Sequence, residues 1–285
     1  MSFLTPLKSQ IAAAVIVYNR FENLQENIES YVTQVDKLYV IDNSDNQSVL
    51  SSEYFDDNPS VAYIANIGNP GVANALNIAA ARAIYDGYKF LLTFDDDSRA
   101  PIDLVERMQE FLKKHIENEF GLVSVAHSKH ADNSTYKIVD FTMTSGSLID
   151  LSIYHKVGFF NEGFFIDGVD TEYCLRLADH GFKSVEISNL FLNHNLGQER
   201  DRMLLGYHIS YISHSSTRYY YMIRNTIFIA KSFFLKQPVI VFRLLFIAFK
   251  EIIKSTFFET ERRKRFGFLI KALIDGVLGN YGKLN

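Results

Sequence analysis

Apolar segments and helical patterns alternate along the first third of the chain. Strand-like apolar segments cover residues 12–18, 38–41, 61–64 and 90–94, and helical patterns cover residues 24–34 and 72–85. Short, continuous apolar segments are typical of strands buried on both faces, and strands that alternate with helices form parallel sheets. The pattern therefore predicts an α/β fold in which helices cover both faces of a mostly parallel sheet.

Polar side chains follow each of these strand-like segments. They are Asn19-Arg20, Asp42-Asn43-Ser44-Asp45, Asn66-Ile67-Gly68-Asn69 and Asp95-Asp96-Asp97. In doubly wound sheets, ligands bind outside the carboxyl ends of the strands, so the pattern favours one shared site at this edge. The loops at residues 42–45 and 66–69 are also compatible with ordinary turns, in which Asn and Asp side chains bond their own backbone.

The three consecutive acids at residues 95–97 are the strongest chemical signal. They directly follow the apolar segment Leu91-Leu92-Thr93-Phe94, and carboxylates are costly there unless a cation or a polar substrate lies beside them. The chain has no Gly-x-Gly-x-x-Gly after its first strand and no Gly-Lys-Ser/Thr phosphate loop. A hard ion such as Mg²⁺ or Mn²⁺, shared by Asp95, Asp97 and a diphosphate, suits this arrangement.

A second group of acids lies among large apolar side chains. Asp167, Asp170 and Glu172 follow Phe164-Phe165-Ile166, and desolvation at this place would raise a carboxyl pKa and favour a general base near neutral pH. Residues from 170 onward also have a helical pattern that ends at Gly181, so Asp170 could instead cap this helix, with Glu172 in its first turn. The residues alone leave both interpretations open.

His194 follows another apolar stretch, in Leu192-Asn193-His194-Asn195-Leu196-Gly197. A lone histidine is usually a surface residue or a satisfied core residue. Imidazole also suits Mn²⁺ in sites with mixed nitrogen and oxygen ligands, so His194 is a candidate ligand on chemistry alone.

Composition indicates a globular chain. It has 285 residues, of which 47% are hydrophobic and 22% charged, and its single cysteine, Cys174, excludes an intramolecular disulfide and a zinc ribbon. One cysteine is consistent with a reducing cytosol.

The apolar stretch 11–18 runs into Asn19-Arg20 without a cleavage pattern, which favours a buried strand over a signal peptide. We expect a cytoplasmic protein with no nucleic-acid partner.

Charge and pattern change near residue 230. Residues 1–230 carry 18 Lys/Arg and 29 Asp/Glu, whereas residues 231–285 carry 11 and 4. A helical pattern at residues 238–258 is apolar except for Arg243, Lys250, Glu251 and Lys254 on one face, and a basic cluster follows at 262–265. The segment is too short and too charged to span a bilayer. It could lie on an anionic membrane surface, on its own catalytic domain or on a second subunit.

Seven sequence motifs, found in a fixed order along the chain, together resemble those of a known protein family. They are Val-Tyr-Asn-Arg at 17–20, Asp-Asn-Ser at 42–44, Asn-x-Gly and Gly-Val-Ala-x-Ala-x-Asn within 66–77, Phe-Asp-Asp-Asp-Ser at 94–98, Ser-Gly-Ser at 145–147, Phe-Phe-Ile-Asp-x-Val-Asp-x-Glu-Tyr-Cys-Leu-Arg at 164–176 and His-Asn-Leu-Gly at 194–197. Over residues 10–230 the chain resembles the inverting glycosyltransferases of family two, in particular bacterial rhamnosyltransferases, whose relatives include galactofuranosyltransferases.

The resemblance implies a fold and a site. The fold is GT-A, with a nucleotide-sugar-binding and catalytic domain at residues 1–225 and a C-terminal helical extension at residues 226–285. The implied metal ligands for Mn²⁺ or Mg²⁺ are Asp95, Asp97 and His194, and the implied catalytic base is Asp170. The implied nucleotide-binding residues are Asn19, Arg20, Asp42, Asn66, Gly68, Asn74 and Asp96, with Asp96 available for a ribose hydroxyl. Ser145, Gly146, Phe164 and Phe165 are expected to border the acceptor.

The implied activity is metal-dependent, inverting transfer of rhamnose from dTDP-rhamnose to a hydroxyl of a lipid-linked precursor of a cell-surface glycan. UDP-galactofuranose or a UDP-hexose is the alternative donor. A sugar-nucleotidyltransferase would need a glycine-rich loop with Arg or Lys after the first strand, which is missing. A non-catalytic glycan-binding module would not need the intact acids. The implied location is the cytoplasm or the inner face of the plasma membrane, and the helical extension allows a homo-oligomer.

Overall fold

The computed structural model describes residues 10–19, 23–45, 55, 58–117, 119–126, 134–193, 198–204, 207–258 and 261–284. Within these residues, one sheet of eight strands forms the centre of the molecule. Its strands are Ile11–Val17 (β1), Lys37–Asp42 (β2), Val61–Ala65 (β3), Phe90–Asp95 (β4), Phe120–Val125 (β5), Tyr136–Val139 (β6), Ser147–Asp150 (β7) and Lys183–Ile187 (β8).

The strand order is β3-β2-β1-β4-β7-β5-β8-β6. Strands β3, β2, β1 and β4 pair in parallel, as do β5 and β8. Strand β7 is antiparallel to both β4 and β5, and β6 is antiparallel to β8. The sheet is therefore mostly parallel, as the sequence predicts, and the antiparallel strand β7 separates its two parallel parts.

Helices cover both faces of the sheet. On one face lie Leu24–Val32 (α1) and Leu104–Lys114 (α3), and on the other lie Val72–Tyr85 (α2), Leu151–Val157 (α4) and Val169–Asp179 (α5). Successive residues of β1 belong to different faces, because Ala12 and Ala14 pack in one apolar cluster and Ala13 and Val15 in the other. All seven residues of β1 are buried, which confirms the prediction of a buried strand there.

Small differences separate the predicted and observed elements. The helix predicted at residues 72–85 has those bounds, whereas the helix predicted at 24–34 ends at Val32. Strand β4 continues one residue beyond the apolar segment, because Asp95 pairs with Ile16 in the register of β1. The first acid of the triplet is thus the last residue of a central strand, at the carboxyl edge of the sheet.

The C-terminal part is helical after a two-stranded antiparallel sheet. The two strands are Gln198–Leu204 (β9) and Tyr207–Ser213 (β10), and the helices are Ser216–Phe233 (α6), Pro238–Phe257 (α7) and Arg262–Leu278 (α8). Helix α6 continues through residues 225 and 226, where the sequence suggests a division into two domains. Across the part of the chain that the structure describes, every helix is too short or too polar to cross a bilayer.

Candidate active site

A cavity of about 630 Å³ opens at the carboxyl edge of the sheet. Its sheet side is formed by the ends of β1, β2 and β4, and its other side by the loop before α5 and the first turn of α6. The lining includes Tyr18, Asn43, Asn69, the acids at 95–97, residues 165–170, Ser215, Thr217, Arg218 and Tyr221. This volume lies within the range of small-molecule sites, roughly 300–1,000 Å³.

Backbone contacts fix the acidic triplet. The Asp95 amide donates to the Ser145 hydroxyl at 3.1 Å, and that hydroxyl lies 2.6 Å from the hydroxyl of Ser98. The Tyr18 amide donates to the Asp96 carboxylate at 3.0 Å, which ties the end of β1 to the triplet. Ser145 is 2% exposed, so it supports the triplet from behind and does not border the cavity.

A chain of amide side chains supports the wall beside the triplet. The Asn43 amide donates to the Asn69 side-chain oxygen at 3.0 Å, and Asn66 donates to both Asn43 and Asn74, at 2.9 and 3.0 Å. Asn74 in turn donates to Glu162 at 3.0 Å. Asn43 and Asn69 line the cavity, whereas the predicted residues Asn66 and Asn74 lie behind them and hold them.

Asp42 is fully buried at the end of β2. Its carboxylate accepts hydrogen bonds from the Tyr63 hydroxyl at 2.8 Å and from the Ser44 amide at 3.0 Å. The Ser44 hydroxyl accepts the Asn19 amide at 2.9 Å. Asp42 therefore shapes the turn after β2 and joins it to the end of β1, and it is not among the cavity-lining residues.

Asp170 is the second residue of helix α5 and lines the cavity. Gly168 occupies the N-cap position, so Asp170 is not the helix cap that the residues alone allowed. Its carboxylate accepts the Thr171 amide at 2.7 Å. Burial, with a smaller contribution from the negative charges of Asp167 and Asp95, raises the pKa of Asp170 to about 6. A carboxyl group with this pKa can accept a proton near neutral pH.

Glu172, the other acid on this helix, is structural. It is 7% exposed and forms a two-point ion pair with Arg176, with both N–O distances 2.8 Å. Arg176 also donates to the carbonyl oxygens of Val157, Gly158 and Phe159. This contact ties α5 to the end of α4 and leaves Asp170 as the acid of the first turn that faces the cavity.

The loop before α5 has an unusual backbone. Phe165 has φ 62° and ψ −64°, and the Ile166 amide donates to the Phe164 carbonyl at 2.8 Å, which makes a γ-turn. γ-turns with positive φ at their central residue are rare and strained. The ring of Phe165 stacks on Tyr221 with centroids 5.0 Å apart. Phe165 lines the cavity, whereas Phe164 is 2% exposed and belongs to the core.

Helix α6 holds this loop through two buried polar side chains. The Asn225 amide donates to the carbonyl oxygens of Phe164, Ile166 and Asp167, and Arg224 donates to those of Gly163 and Phe164. Both side chains are 1% exposed. Sequence reasoning missed both residues, and their only signal is that they belong to the three polar residues, at 224–226, inside the otherwise apolar and aromatic run 219–229.

The first turn of α6 brings a cation to the cavity. The Ser215 hydroxyl accepts the Arg218 amide at 3.1 Å and caps the helix, and the Arg218 guanidinium donates to Asp167 at 3.1 Å. Burial raises the pKa of Asp167, and the charge of Arg218 opposes this rise. Sequence reasoning missed Arg218 because it is forty-eight residues after Asp170.

The oxygen donors in this cavity suit a hard cation. Mg²⁺ is commonly held by one or two carboxylates together with substrate phosphates, and Asp95 and Asp97 both line the cavity. Among the residues whose placement is described, no group of three or more His, Cys, Asp or Glu side chains is arranged to hold a metal ion. His194 and Arg20, two of the predicted site residues, lie outside the described residues.

The structure thus brings together Asp95, Asp96, Asp97 and Asp170 around one cavity. The other predicted residues in the described part of the chain lie at its margin. Asn19, with φ 51°, donates its side-chain amide to Asp45 at 3.1 Å, and the Gly68 carbonyl accepts Lys283 at 3.2 Å. Gly146 is needed for close packing, because a Cβ there would lie 2.5 Å from Leu192.

A relative resembles the chain over nearly its whole length. The dTDP-rhamnosyl transferase RfbF of Shigella flexneri is 23% identical over 299 residues, which cover 97% of this chain and 98% of that protein. The chain is thus a homologue of a rhamnosyltransferase.

Solved structures share the fold. S. aureus TarS 1–349 in complex with UDP-GlcNAc has a TM-score of 0.61 at 14% identity, covering 95% of this chain and 81% of that one. A longer S. aureus TarS chain has a TM-score of 0.60 at 14% identity, and the match covers 94% of this chain but only 49% of TarS. GalNAc-T7 with UDP, GalNAc and Mn²⁺ has a TM-score of 0.59 at 10% identity, over 95% of this chain and 58% of that one. These neighbours confirm the GT-A fold.

The family itself follows from a match that covers more than half of the chain. Residues 13–166 match Glycosyl transferase family 2, and this segment runs from β1 to the loop before α5, including the acidic triplet. The chain is a glycosyltransferase and belongs to family 2.

Proposed function

We propose that this glycosyltransferase moves rhamnose from dTDP-rhamnose to a hydroxyl group of a cell-surface glycan precursor, with inversion at the anomeric carbon and with Mn²⁺ or Mg²⁺ bound. The observation that carries the proposal is the meeting of Asp95, Asp96, Asp97 and Asp170 around one cavity of about 630 Å³. Acids on one side suit a metal and its diphosphate, and an acid with a raised pKa on the other side suits a base.

The donor is proposed from the relative. RfbF is a dTDP-rhamnosyl transferase, and the match spans almost all of both chains. UDP-sugars form the second candidate class, because TarS binds UDP-GlcNAc and GalNAc-T7 is solved with UDP and GalNAc. The two classes differ in both base and sugar, so a binding experiment separates them.

The metal would be held by Asp95, Asp97 and His194, and it would stabilise the negative charge that develops on the diphosphate leaving group. The remaining chemistry belongs to Asp170. Its carboxylate would take the proton of the acceptor hydroxyl while the hydroxyl oxygen forms a bond to the anomeric carbon. The bond from that carbon to the diphosphate oxygen breaks on the opposite face, so the configuration inverts and no second carboxylate is needed as a nucleophile.

The nucleotide would lie along the ends of β1, β2 and β3. We propose that Asn19 and Arg20 contact the base, that Asp42 acts from behind by holding the turn after β2, and that Gly68 and Asp96 contact the ribose or diphosphate. The amide chain through Asn66 and Asn74 would act by holding Asn43 and Asn69, the two members that line the cavity.

The acceptor is proposed to be a lipid-linked glycan at the cytoplasmic face of the plasma membrane. We also propose that the chain has two parts, a catalytic domain up to residue 225 and a basic helical region after it, with helix α6 continuing across this division. Residues 231–285 carry 11 Lys/Arg and only 4 Asp/Glu. This excess of positive charge favours contact between the helical region and a negatively charged surface. A homo-oligomer built through the same region is the alternative.

The test is a thermal-unfolding screen of the full chain with nucleotide-sugars, with and without Mn²⁺. A ligand that binds only the folded state stabilises it by mass action and so raises the unfolding temperature. At a ligand concentration a hundred times Kd, the free energy of unfolding rises by about 2.7 kcal/mol. We expect the largest shift with dTDP-rhamnose and Mn²⁺, and a smaller shift when EDTA replaces Mn²⁺. A larger shift with a UDP-sugar would correct the donor, and no shift with any nucleotide-sugar would contradict the proposal.

A further inference from the structure

Helix α7 leaves most of its apolar face uncovered. Only Val241 and Ser255 of its twenty residues are buried. Six of its seven exposed apolar side chains recur three or four residues apart, which places them on one face, and these six are Val239, Phe242, Phe246, Phe249, Ile253 and Phe257; Ile247 is the seventh. Their exposed fractions run from 38% to 80%. Packing on the catalytic domain therefore does not explain why this face is apolar.

Helix α8 adds to the uncovered area. It buries Leu269 and Ala272 against α6 and exposes Phe266, Ile270, Leu273, Ile274, Val277 and Leu278. We call the exposed apolar side chains of α7 and α8 the C-terminal apolar surface. Single exposed apolar residues are common, but a group of this size marks a contact with a partner or a membrane.

The charges on these two helices have one sign at the surface. The exposed charged residues are Arg243, Lys250, Arg262, Arg263, Lys264 and Lys271. Arg243 is paired with Asp140 at 2.7 Å and Lys271 with Asp275 at 3.2 Å, so the positive charge lies mainly at Lys250 and at residues 262–264. The acids within the same helices are covered, since Glu251 forms an ion pair with Lys254 and Asp275 is 5% exposed. Glu261, just before α8, is exposed and lies 3.6 Å from Lys264. The C-terminal apolar surface is therefore flanked by cations.

This charge pattern decides between the two candidate occupants. In a symmetric dimer the same face meets itself, which would bring these cations together and desolvate them. An anionic lipid surface instead offers phosphate groups to the cations and acyl chains to the phenylalanines. We propose that the C-terminal apolar surface is a docking surface for an anionic lipid bilayer.

The surface is connected to the catalytic cavity. Arg265, in the first turn of α8, is 7% exposed and donates to the His214 carbonyl at 3.0 Å. The Tyr211 hydroxyl donates to the Phe258 carbonyl at 3.1 Å, at the end of α7. The next residue after His214 is Ser215, which lines the cavity. Docking would thus bring the cavity to the lipid surface; that this serves a lipid-linked acceptor rests on the proposed function.

The test is co-sedimentation of the full chain with vesicles, without donor or acceptor. We expect binding to vesicles of phosphatidylglycerol and phosphatidylcholine, and little binding to phosphatidylcholine alone. Arg262→Gln/Arg263→Gln/Lys264→Gln should weaken binding on the order of 100-fold, since each cation near an anionic surface contributes about fivefold or more. Phe242→Ser/Phe246→Ser should weaken it by about tenfold or more.

Matched controls lie at the end of α3. Lys113→Gln/Lys114→Gln and Ile116→Ser change exposed residues of the same kinds elsewhere, and we expect their vesicle binding to equal that of the wild type. Equal binding by all variants, or no preference for phosphatidylglycerol, would overturn the proposal. A dimer in sedimentation equilibrium that Phe242→Ser/Phe246→Ser converts to a monomer, without vesicle binding by the wild type, would assign the surface to a second copy.

The same variants separate this proposal from the proposed function. The rise in unfolding temperature with dTDP and Mn²⁺ depends on the cavity, so we expect the surface variants to keep it. Vesicle binding that fails while this rise persists would reject the docking surface alone. Vesicle binding that persists without a response to dTDP and Mn²⁺ would reject the proposed donor and metal and leave the docking surface standing.

Discussion

The side-chain amide of Asn225 donates a 2.6 Å hydrogen bond to the main-chain carbonyl of Asp167. The same amide donates to Phe164 at 2.9 Å and to Ile166 at 2.8 Å. Phe165 and Asp167 both have φ near +60°, a conformation that costs energy for residues other than glycine. Asn225 therefore fixes the strained loop that leads directly into the helix carrying Asp170.

Asn225→Ala should remove these contacts without changing any group proposed to touch the substrate. We expect a loss of stability of about 1–3 kcal/mol, because buried carbonyl oxygens lose their donor. We expect sugar transfer to slow by about 10- to 100-fold, because the base is misplaced, while the affinity for dTDP with Mn²⁺ stays near that of the wild type. Transfer kinetics and calorimetric titration measure the two effects.

Thr226→Ala is the control for this variant, since the Thr226 hydroxyl donates to the Met222 carbonyl of its own helix. It should keep the wild-type rate. If Asn225→Ala slowed transfer no more than Thr226→Ala, the positioning role of Asn225 would be wrong.

Gly71→Ala should disturb the contact between α2 and the loop before α5. Gly71 has φ +106°, and a Cβ there would lie 2.5 Å from the Phe165 carbonyl oxygen, to which the Val72 amide donates at 2.7 Å. We expect a destabilisation of about 3 kcal/mol or more, from backbone strain and steric overlap together.

Gly87→Ala separates the two causes. Gly87 has φ +84° but nothing within 4 Å of an added Cβ, so only the backbone term, about 1–2 kcal/mol, remains. Denaturant unfolding measures both variants. If both variants lost the same amount of unfolding free energy, the close approach of Gly71 to Phe165 would contribute nothing to the destabilisation.

Asp170→Asn should stabilise the protein above pH 6. Burial raises the pKa of Asp170 from 3.8 to about 6, so the folded state binds this proton more tightly than the unfolded state. The associated stability is present below pH 3.8 and is lost as the pH rises through 6. Asparagine cannot ionise, so we expect the variant to be more stable than the wild type at pH 8 by about 1–3 kcal/mol, with a smaller difference at pH 5.

Asp86→Asn is the control with the opposite sign. The hydrogen bond from Tyr39 lowers the pKa of Asp86, so its carboxylate stabilises the folded state above its normal pKa. This variant should be less stable than the wild type at pH 8. If Asp170→Asn differed from the wild type in stability by the same amount at pH 5 and at pH 8, the raised pKa of Asp170 would be contradicted.

Asp95→Asn and Asp97→Asn should each weaken dTDP binding in the presence of Mn²⁺, by about tenfold or more, because a metal held by fewer carboxylates binds the diphosphate less tightly. Addition of EDTA should reduce wild-type binding to the level of the variants. Asp103→Asn, which changes a half-buried acid 3.9 Å from Arg107 and away from the cavity, is the control. Undiminished dTDP binding in EDTA would count against a metal at the triplet.

The pattern of the sequence predicts the fold well because each strand is an unbroken apolar segment. Residues of β1 and β4 are buried on both faces, so an unbroken apolar segment in the sequence is enough to identify each strand. The order of the strands in the sheet is harder to predict from the sequence. The antiparallel strand β7 lies between β4 and β5 because of a long connection, and the local pattern of residues does not show this.

The site is only partly predictable, for a similar reason. The triplet and Asp170 lie at ends of elements that the pattern identifies. Asn225 and Arg218 act on residues about fifty to sixty positions earlier, and nothing in their own surroundings in the sequence shows which loop they meet. Asp42 has the expected place at the end of β2, but its burial under Tyr63 depends on the neighbouring strand.

The most direct test of the central claim is transfer of labelled rhamnose from dTDP-rhamnose to a lipid-linked glycan acceptor by the wild type and by Asp170→Asn, with Mn²⁺ present. Removal of a general base typically costs about 10²- to 10⁴-fold in rate, so we expect the variant to bind dTDP-rhamnose like the wild type and to transfer at least about 100-fold more slowly. Transfer by Asp170→Asn at the wild-type rate would contradict the assignment of Asp170 as the base.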